Sequence, residues 1–578
     1  MDKKSYCIAW LMLLFVGSLH AQYRTTTYCN PLNLDYTYPF HNSHLGKSYR
    51  SGADPAVVEF RGEYYMFVTR SWGYWHSKDL LNWDFITPEK WYFEGCNAPA
   101  AHNYKDSVLY VCGNPSGAMS ILYTDNHKRG DWKAVPSVLH DLQDPALFID
   151  DDERAYMYWG SSNRWPIRGK ELDMKNKFLP IAKKPDSLLF LRPDIHGWER
   201  FGENHTSDIK PFIEGAWMTK HNGKYYLQYA APGTQFNVYG DGVYVGKSPL
   251  GPFEYAAHNP FCYKPGGFAT GAGHGSTVCG PGGIYWHFGT IHLSINYKFE
   301  RRLCMFPTFF DEDGAMYSDT YFGDYPHYSP DQVSRQTTSG GFRGWMLLSY
   351  GKPVKASSQL ESYPVENVTD ENLKTFWVAE KNDDKQWVEI DLEEVSDVYA
   401  LQLNFFDYEE TGFWGRMPNL RQRYLVEASV DGARWRVLVD YRNSFRDAPH
   451  NYIELDQPIE ARYIRYRHHY VPGKNLAMGD IRVFGLGRGK KPATVKGFTV
   501  VREADERNAR ISWKAVKGAQ GYNVLWGVAL DKLYSSWMVY GDNSLDLRAL
   551  TVGQKYYFAI EAFNENGISQ RVFLREAH

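Results

Sequence analysis

The sequence predicts an all-β protein, a five-bladed β-propeller followed by two β-sandwiches. Three observations predict it. Trp, Tyr and Phe make up 16% of the 578 residues, beside 50 Gly, a balance that favours strands joined by tight turns. Short aromatic segments recur through the first 300 residues at near-blade spacing. From about residue 354 the texture changes, and the strand patterns alternate cleanly between apolar and polar. The formal net charge is only -3, so no basic surplus draws in nucleic acid.

The N-terminus reads as a secretory signal. Lys3 and Lys4 precede an apolar run from Ile8 to Val16, and Gly17-Ser18-Leu19-His20-Ala21 offers a cleavage site. Residues 1–21 are therefore expected to leave, and the mature protein to be exported, secreted or periplasmic. The run is too short to span a bilayer, and no later segment reaches 18 apolar residues, so membrane insertion is not expected. Cys7 leaves with the signal. Cys29, Cys96, Cys112, Cys262, Cys279 and Cys304 remain. None sits in a CxxC or Cys/His spacing, which argues against zinc, and their pairing is not legible.

The blades follow. Tyr65, Tyr110, Tyr156, Tyr226 and Tyr285 anchor five aromatic strands at spacings of 45, 46, 70 and 59. Four-stranded blades need about 40–50 residues each, and the longer gaps leave room for inserted loops. The 70-residue gap, with Arg164-Trp165, His196, Trp198 and His205, is expected to wall a substrate pocket. Residues 22–345 are assigned to the propeller. Residues 352–487 form the first sandwich, with strands such as Gln386-Trp387-Val388-Glu389-Ile390-Asp391-Leu392. Gly485 to Pro492 reads as a linker. Residues 493–578, carrying Trp513, Gly521-Tyr522 and Tyr557, form a second sandwich with a spacer role.

Counting back from the anchors locates the chemistry. Asp54 lies 11 residues before Tyr65, Asp144 12 before Tyr156, Glu214 12 before Tyr226 and His274 11 before Tyr285. One register in a propeller means one height near the axis, so three carboxylates and an imidazole are expected to meet at one mouth of the channel. Asp-Pro alone is commonly a strand opening, and a Glu before Gly a solvated loop residue. The coincidence of register is what raises these residues to catalytic candidates. A carboxyl trio suits glycoside hydrolysis: one proton donor, one base, and a third tuning the donor. No GxxxxGK[ST] or GxSxG motif supports phosphoryl transfer or a serine hydrolase.

Over roughly residues 29–330 these motifs resemble glycoside hydrolase family 43. They are Asn30-Pro31-Leu32, Ala53-Asp54-Pro55, Gln143-Asp144-Pro145, Glu214-Gly215, Gly273-His274-Gly275-Ser276 and Arg301 to Pro307. The resemblance implies an inverting mechanism with Asp54 as general base, Asp144 as orienting group and Glu214 as general acid. It implies that His274 lines the centre beside a bound calcium ion, as a candidate metal ligand, and that Arg301 reaches the substrate. Trp72 and Trp217 are candidate sugar platforms, with blade packing the competing reading. The chain reads Glu214-Gly215-Ala216 where the family commonly has Glu-Gly-Pro, which leaves sugar preference open. Residues 352–487 resemble a discoidin-like (coagulation factor 5/8 type C) jelly-roll domain, through Ala356-Ser357-Ser358, Asn367 to Trp377, Ser429-Val430-Asp431-Gly432, Trp435 and Ala461 to Arg465. That implies a carbohydrate-binding module with a structural calcium near Asp370. The last unit resembles a fibronectin type III-like β-sandwich.

The expected activity is an α-L-arabinofuranosidase or β-xylosidase on polysaccharide side chains, with no organic cofactor. The alternatives are a β-galactofuranosidase or galactan-cleaving exo-enzyme, and a carbohydrate-binding protein with an inactive propeller.

Overall fold

The computed structural model describes residues 25–40, 46–90, 93–113, 118–136, 139–140, 142–181, 186–333 and 341–575. The expected signal segment lies outside them. Among the described residues there are strands and short 3-10 turns but no α-helix.

Five antiparallel sheets form the blades. Their innermost strands are Ala56–Phe60, Asn97–Tyr104, Ala146–Ile149, Glu214–His221 and Gly273–Cys279. In each blade the next strand pairs with this one and carries the buried aromatic expected from the repeat. Tyr65, Tyr110, Tyr156 and Tyr226 are 0–2% exposed. In the fifth blade the buried ring is Trp286, at 0%, rather than Tyr285, because the strand pairing moves the inward side by one residue. Thr27–Tyr28 pairs with His327–Tyr328 across the chain ends. Asn30 Nδ2 donates to Met305 O (3.1 Å) and Gly323 O (2.8 Å), tying the first segment to the last blade.

The inner strands share a local distortion. Each starts with a residue in the left-handed region: Asp54 (φ 56°), Ala98 (39°), Asp144 (47°), Gly215 (62°) and His274 (52°). The pairing register shifts there in the second, fourth and fifth blades. Such a β-bulge turns one side chain out of the ladder at the strand's head. Here that direction is the channel mouth.

The second unit is one eight-stranded sheet folded on itself. Its long strands Trp387–Phe405 and His450–Tyr470 pair along most of their length. The alternation read from the sequence holds: Val388, Ile390 and Leu392 are at most 3% exposed. On the other face Arg465 pairs with Glu389 and Arg462 with Asp391. The third unit is a two-sheet sandwich. Its sheets run Lys496–Arg502, Ala509–Lys514, Ser544–Leu547 and Ser535–Tyr540, Gly521–Gly527, Tyr557–Asn564.

The third unit is not a spacer. Its core, including Trp513, Trp526 and Leu547, is continuous with that of the third and fourth blades, including Trp198 and Tyr229. Arg200 donates to Asn508 Oδ1 (2.6 Å) and Arg548 O (2.7 Å). Tyr534 stacks on Tyr317 at 3.8 Å. The second unit is equally committed. Arg482 makes a bidentate pair with Glu371 (2.6 and 2.9 Å), donates to Asp324 O at 2.6 Å, and both charged side chains are 1% exposed. Lys264 pairs with Asp324 beside it (3.0 Å).

A buried charge whose partner is removed is costly. Glu371→Gln is expected to destabilise the protein by about 3–5 kcal/mol. A denaturant melt checks this, and an unmoved midpoint would show that the pair contributes little to stability.

Candidate active site

The bulges bring Asp54, Asp144 and His274 to equivalent positions at the channel mouth. His274 Nδ1 lies 3.3 Å from Asp54 Oδ1 and 3.8 Å from Asp144 Oδ2. Glu214 departs from the expected register. It pairs with Ala230, as Gly273 pairs with Thr290 and Asn97 with Gly113. It therefore stands one residue ahead, and Gly215 takes the left-handed turn. Counting from Tyr226 missed this because a bulge adds a residue on one strand only. Gly215 is needed there twice over. Its φ is 62°, and a Cβ would stand 2.7 Å from His274 Cγ.

Each carboxyl has its own surroundings. Asp54 is 6% exposed. Its Oδ2 accepts from Thr69 Oγ1 (2.6 Å) and its Oδ1 from Arg301 Nη1 (3.3 Å). Burial pushes its pKa up, but Arg301, His274 and the Thr69 hydroxyl outweigh that and hold it below the usual range. Asp54 is thus ionised. Glu214 accepts from Tyr239 OH (2.6 Å) and from Ser161 Oγ (3.1 Å). Burial drives Asp144 up to about 7, with the charges of Glu214 and Asp54 adding to it and His274 opposing. Burial opposes charge on His274, yet Asp54, Asp144, Glu214 and Asp241 together raise its pKa. Asp241 also accepts the His274 and Gly275 amides at 2.7 and 2.9 Å, pinning the bulge that presents the ring.

Arg301 is 5% exposed. Its Nη1 also donates to Thr234 Oγ1 (3.2 Å), and its Nε has no partner among the described residues. That leaves a buried donor beside Asp54. The two tryptophans are placed otherwise than as open platforms. Trp217 packs against a cluster built by the first two blades and donates from Nε1 to Thr277 O (3.2 Å), so it spans the channel three residues beyond Glu214. Trp72 has one face covered by Gly415 of the second unit and lies edge-on to Trp414 at 5.1 Å. Blade packing wins for the first and contact between units for the second.

The long insert divides. Trp198 is fully buried and donates to Tyr255 OH (2.9 Å), His196 stacks on Tyr255 at 3.7 Å, and His205 reaches Tyr263 OH (2.8 Å). Of the residues expected to form the wall, Arg164 and Trp165 line open space. Thr69, Ser161, Thr234, Tyr239 and Asp241 were not found from sequence. Each lies outside the innermost strands, on a segment that no repeat singles out.

Calcium takes six to eight oxygen ligands. The mouth offers one imidazole, already turned to two carboxylates, and no described group of three His, Cys, Asp or Glu is set to hold an ion. The residues present do not build a calcium cage at His274, and no step is routed through one.

Residues 49–316 match the family model for Glycosyl hydrolases family 43, and residues 353–478 match that for the F5/8 type C domain. The chain therefore carries both domains. It is similar to a β-xylosidase of Xylanibacter ruminicola, 33% identical over 133 residues, 19% of this chain and 39% of that protein. An arabinoxylan arabinofuranohydrolase of Bacillus subtilis is 25% identical over 331 residues, covering 46% and 60%. A β-D-galactofuranosidase of Aspergillus niger is 25% identical over 303 residues, covering 46% and 81%. The first two alignments thus span about two fifths and three fifths of those relatives.

The raised Asp144 pKa has a spectroscopic signature. In a carbon-detected NMR titration the Asp144 carboxyl should show a midpoint near 7. Asp54→Asn removes a negative charge that raises it and should lower the midpoint. A rise, or no change, would contradict the coupling.

Proposed function

We propose that this protein is an inverting glycoside hydrolase that removes terminal arabinofuranosyl or xylosyl residues from polysaccharide side chains. One observation carries the reading: Asp54 is held ionised by Arg301, Thr69 and His274, while across the same mouth burial and the charges of Glu214 and Asp54 push Asp144 up to about 7. Carboxyls whose environments push their protonation apart are the working parts of an acid–base pair.

In this mechanism Glu214 gives its proton to the glycosidic oxygen as the bond to the anomeric carbon breaks. Asp54 takes a proton from a water attacking that carbon from the opposite face. Asp144 acts on Glu214 as a neighbouring like charge, and Ser161 orients the Glu214 carboxyl. Tyr239 fixes the Glu214 carboxyl. His274 faces the sugar hydroxyls, and Arg301 holds the Asp54 carboxylate. The kinship to xylosidase and arabinofuranohydrolase sequences supports the sugar class. A galactofuranoside is the second reading, favoured by the 81% of the galactofuranosidase that the chain spans.

The other expectations belong to the same reading. Export rests on the residue 1–21 pattern. The second unit is a carbohydrate-binding module. A structural cation beside Asp370 is supported by Asp480, whose Oδ2 is buried without a described partner. Burial, then Glu371 and Asp370, raise the pKa of Asp480, so a cation or a proton must neutralise it. The third unit is fibronectin type III-like, on its three-stranded sheet facing a second sheet of four main strands.

Glu214→Gln should lower kcat by on the order of 10³ or more on aryl arabinofuranosides and xylosides while the fold survives. Proton NMR of the first product should show the inverted anomer. Retained activity would remove Glu214 as the acid, and a retained anomer would remove inversion.

Activity should also fall as pH rises through about 7, where Asp144 loses its proton. A pH–rate profile flat across that range would contradict the assignment.

A further inference from the structure

Beside the mouth lies an open pocket whose wall includes Arg164, Trp165, Phe190 and Lys210. Its floor is the bridge between Ser162 and Ile213, which exchange both backbone hydrogen bonds at 3.0 Å. The next residues on these two strands are Ser161 and Glu214, themselves joined at 3.1 Å. The pocket therefore opens one residue from the carboxyl read as the general acid.

Its chemistry is unusual for this protein. Trp165 is 63% exposed and Phe190 55%, whereas Trp75, Trp132, Trp198, Trp286 and Trp377 are fully buried. Exposed aromatic faces beside a cleft suit the C–H face of a sugar ring. Ser162 Oγ accepts from the amides of Arg164 and Trp165 (3.0 and 3.1 Å), so the turn that presents them is built rather than loose. The Arg168 guanidinium sits 5.5 Å over the Trp165 ring. No Asp or Glu lines the pocket. Among the described residues Arg164, Arg168 and Lys210 have no carboxylate within ion-pair distance. Neighbouring cations do: Arg192 pairs with Asp194, and Arg200 and Arg507 with Asp505.

We infer that this pocket is a leaving-group subsite for a uronic acid, its ring on Trp165 and its carboxylate between Arg164 and Lys210. A guanidinium and an ammonium with no internal partner are available to a planar carboxylate, and charge-assisted bonds are the strong ones. The side follows from the mechanism and rests on Glu214 as acid: the released sugar lies on the acid's side of the broken bond. The substrate is then an acidic glycan, with the cleaved sugar attached to or next to a uronate.

The test uses full-length Glu214→Gln protein and calorimetric titration with three probes: trigalacturonate, its carboxyl-reduced counterpart, and a sulfated neutral trisaccharide. Trigalacturonate should bind about tenfold more tightly than the reduced form. That preference should vanish when R164A and K210A are added and weaken with salt. Equal binding of acid and reduced forms overturns the subsite, as does a preference that survives R164A/K210A. Tighter binding of the sulfated probe overturns the assignment to a carboxylate. Failure of the acid reading shows separately, as turnover of aryl glycosides by Glu214→Gln. Circular dichroism of the triple variant, matching that of Glu214→Gln, ties any loss of preference to the missing cations.

Discussion

The left-handed residue at the head of each innermost strand is the constraint on which the site depends. A side chain inside a regular ladder points up or down from its sheet. One residue of bulge turns it toward the axis instead. Asp54, Asp144 and His274 meet because their blades repeat that turn, with φ between 47° and 56°. The second blade keeps the turn with Ala98 and contributes no polar group. The fourth places its acid just before the turn and lets Gly215 make it. Chemistry is thus written onto a repeated backbone defect, and changing one residue changes the site without changing the propeller.

Electrostatics then divides the labour among groups crowded into one mouth. Asp54 has a guanidinium, an imidazole and a hydroxyl to hold its charge. Asp144 has neighbouring carboxylates instead. The same burial that raises Asp144 is overruled at Asp54, and that asymmetry sets the base apart.

Much of this was legible in the sequence. The five aromatic strands, the Asp-Pro openings and the alternation around Val388 to Leu392 carry direct signatures of period and turn. The one-residue offset at Glu214 was not legible, because a bulge adds a residue on one strand only and the count from Tyr226 carries no mark of it. Nor were Ser161 and Tyr239, which act across blades and depend on tertiary placement. The aromatic excess misled in one respect. Trp72, Trp198 and Trp217 looked like ligand-facing rings, but large rings more often fill space between layers. The spacer reading of the last unit failed for a related reason. Glycines at 485, 487 and 489 suggested a flexible join, yet apolar surface on both sides made docking the better state.

The buried Arg482–Glu371 pair, resting on Asp324, has a geometric consequence. Flexibly linked modules enlarge their reach by searching, and their gain depends on tether length. Here the second unit's buried Arg482 donates to Asp324 O of the propeller, and the propeller's buried Arg50 pairs with Asp407 of the second unit at 2.9 Å, charges that cannot be exposed singly without a large penalty. Any surface of that unit stands at a fixed distance and bearing from the channel mouth. The molecule then behaves as a ruler laid on its substrate rather than as an anchor with a swinging arm. A polymer touching both units must present its features at one spacing, set by the junction and not by chance encounter.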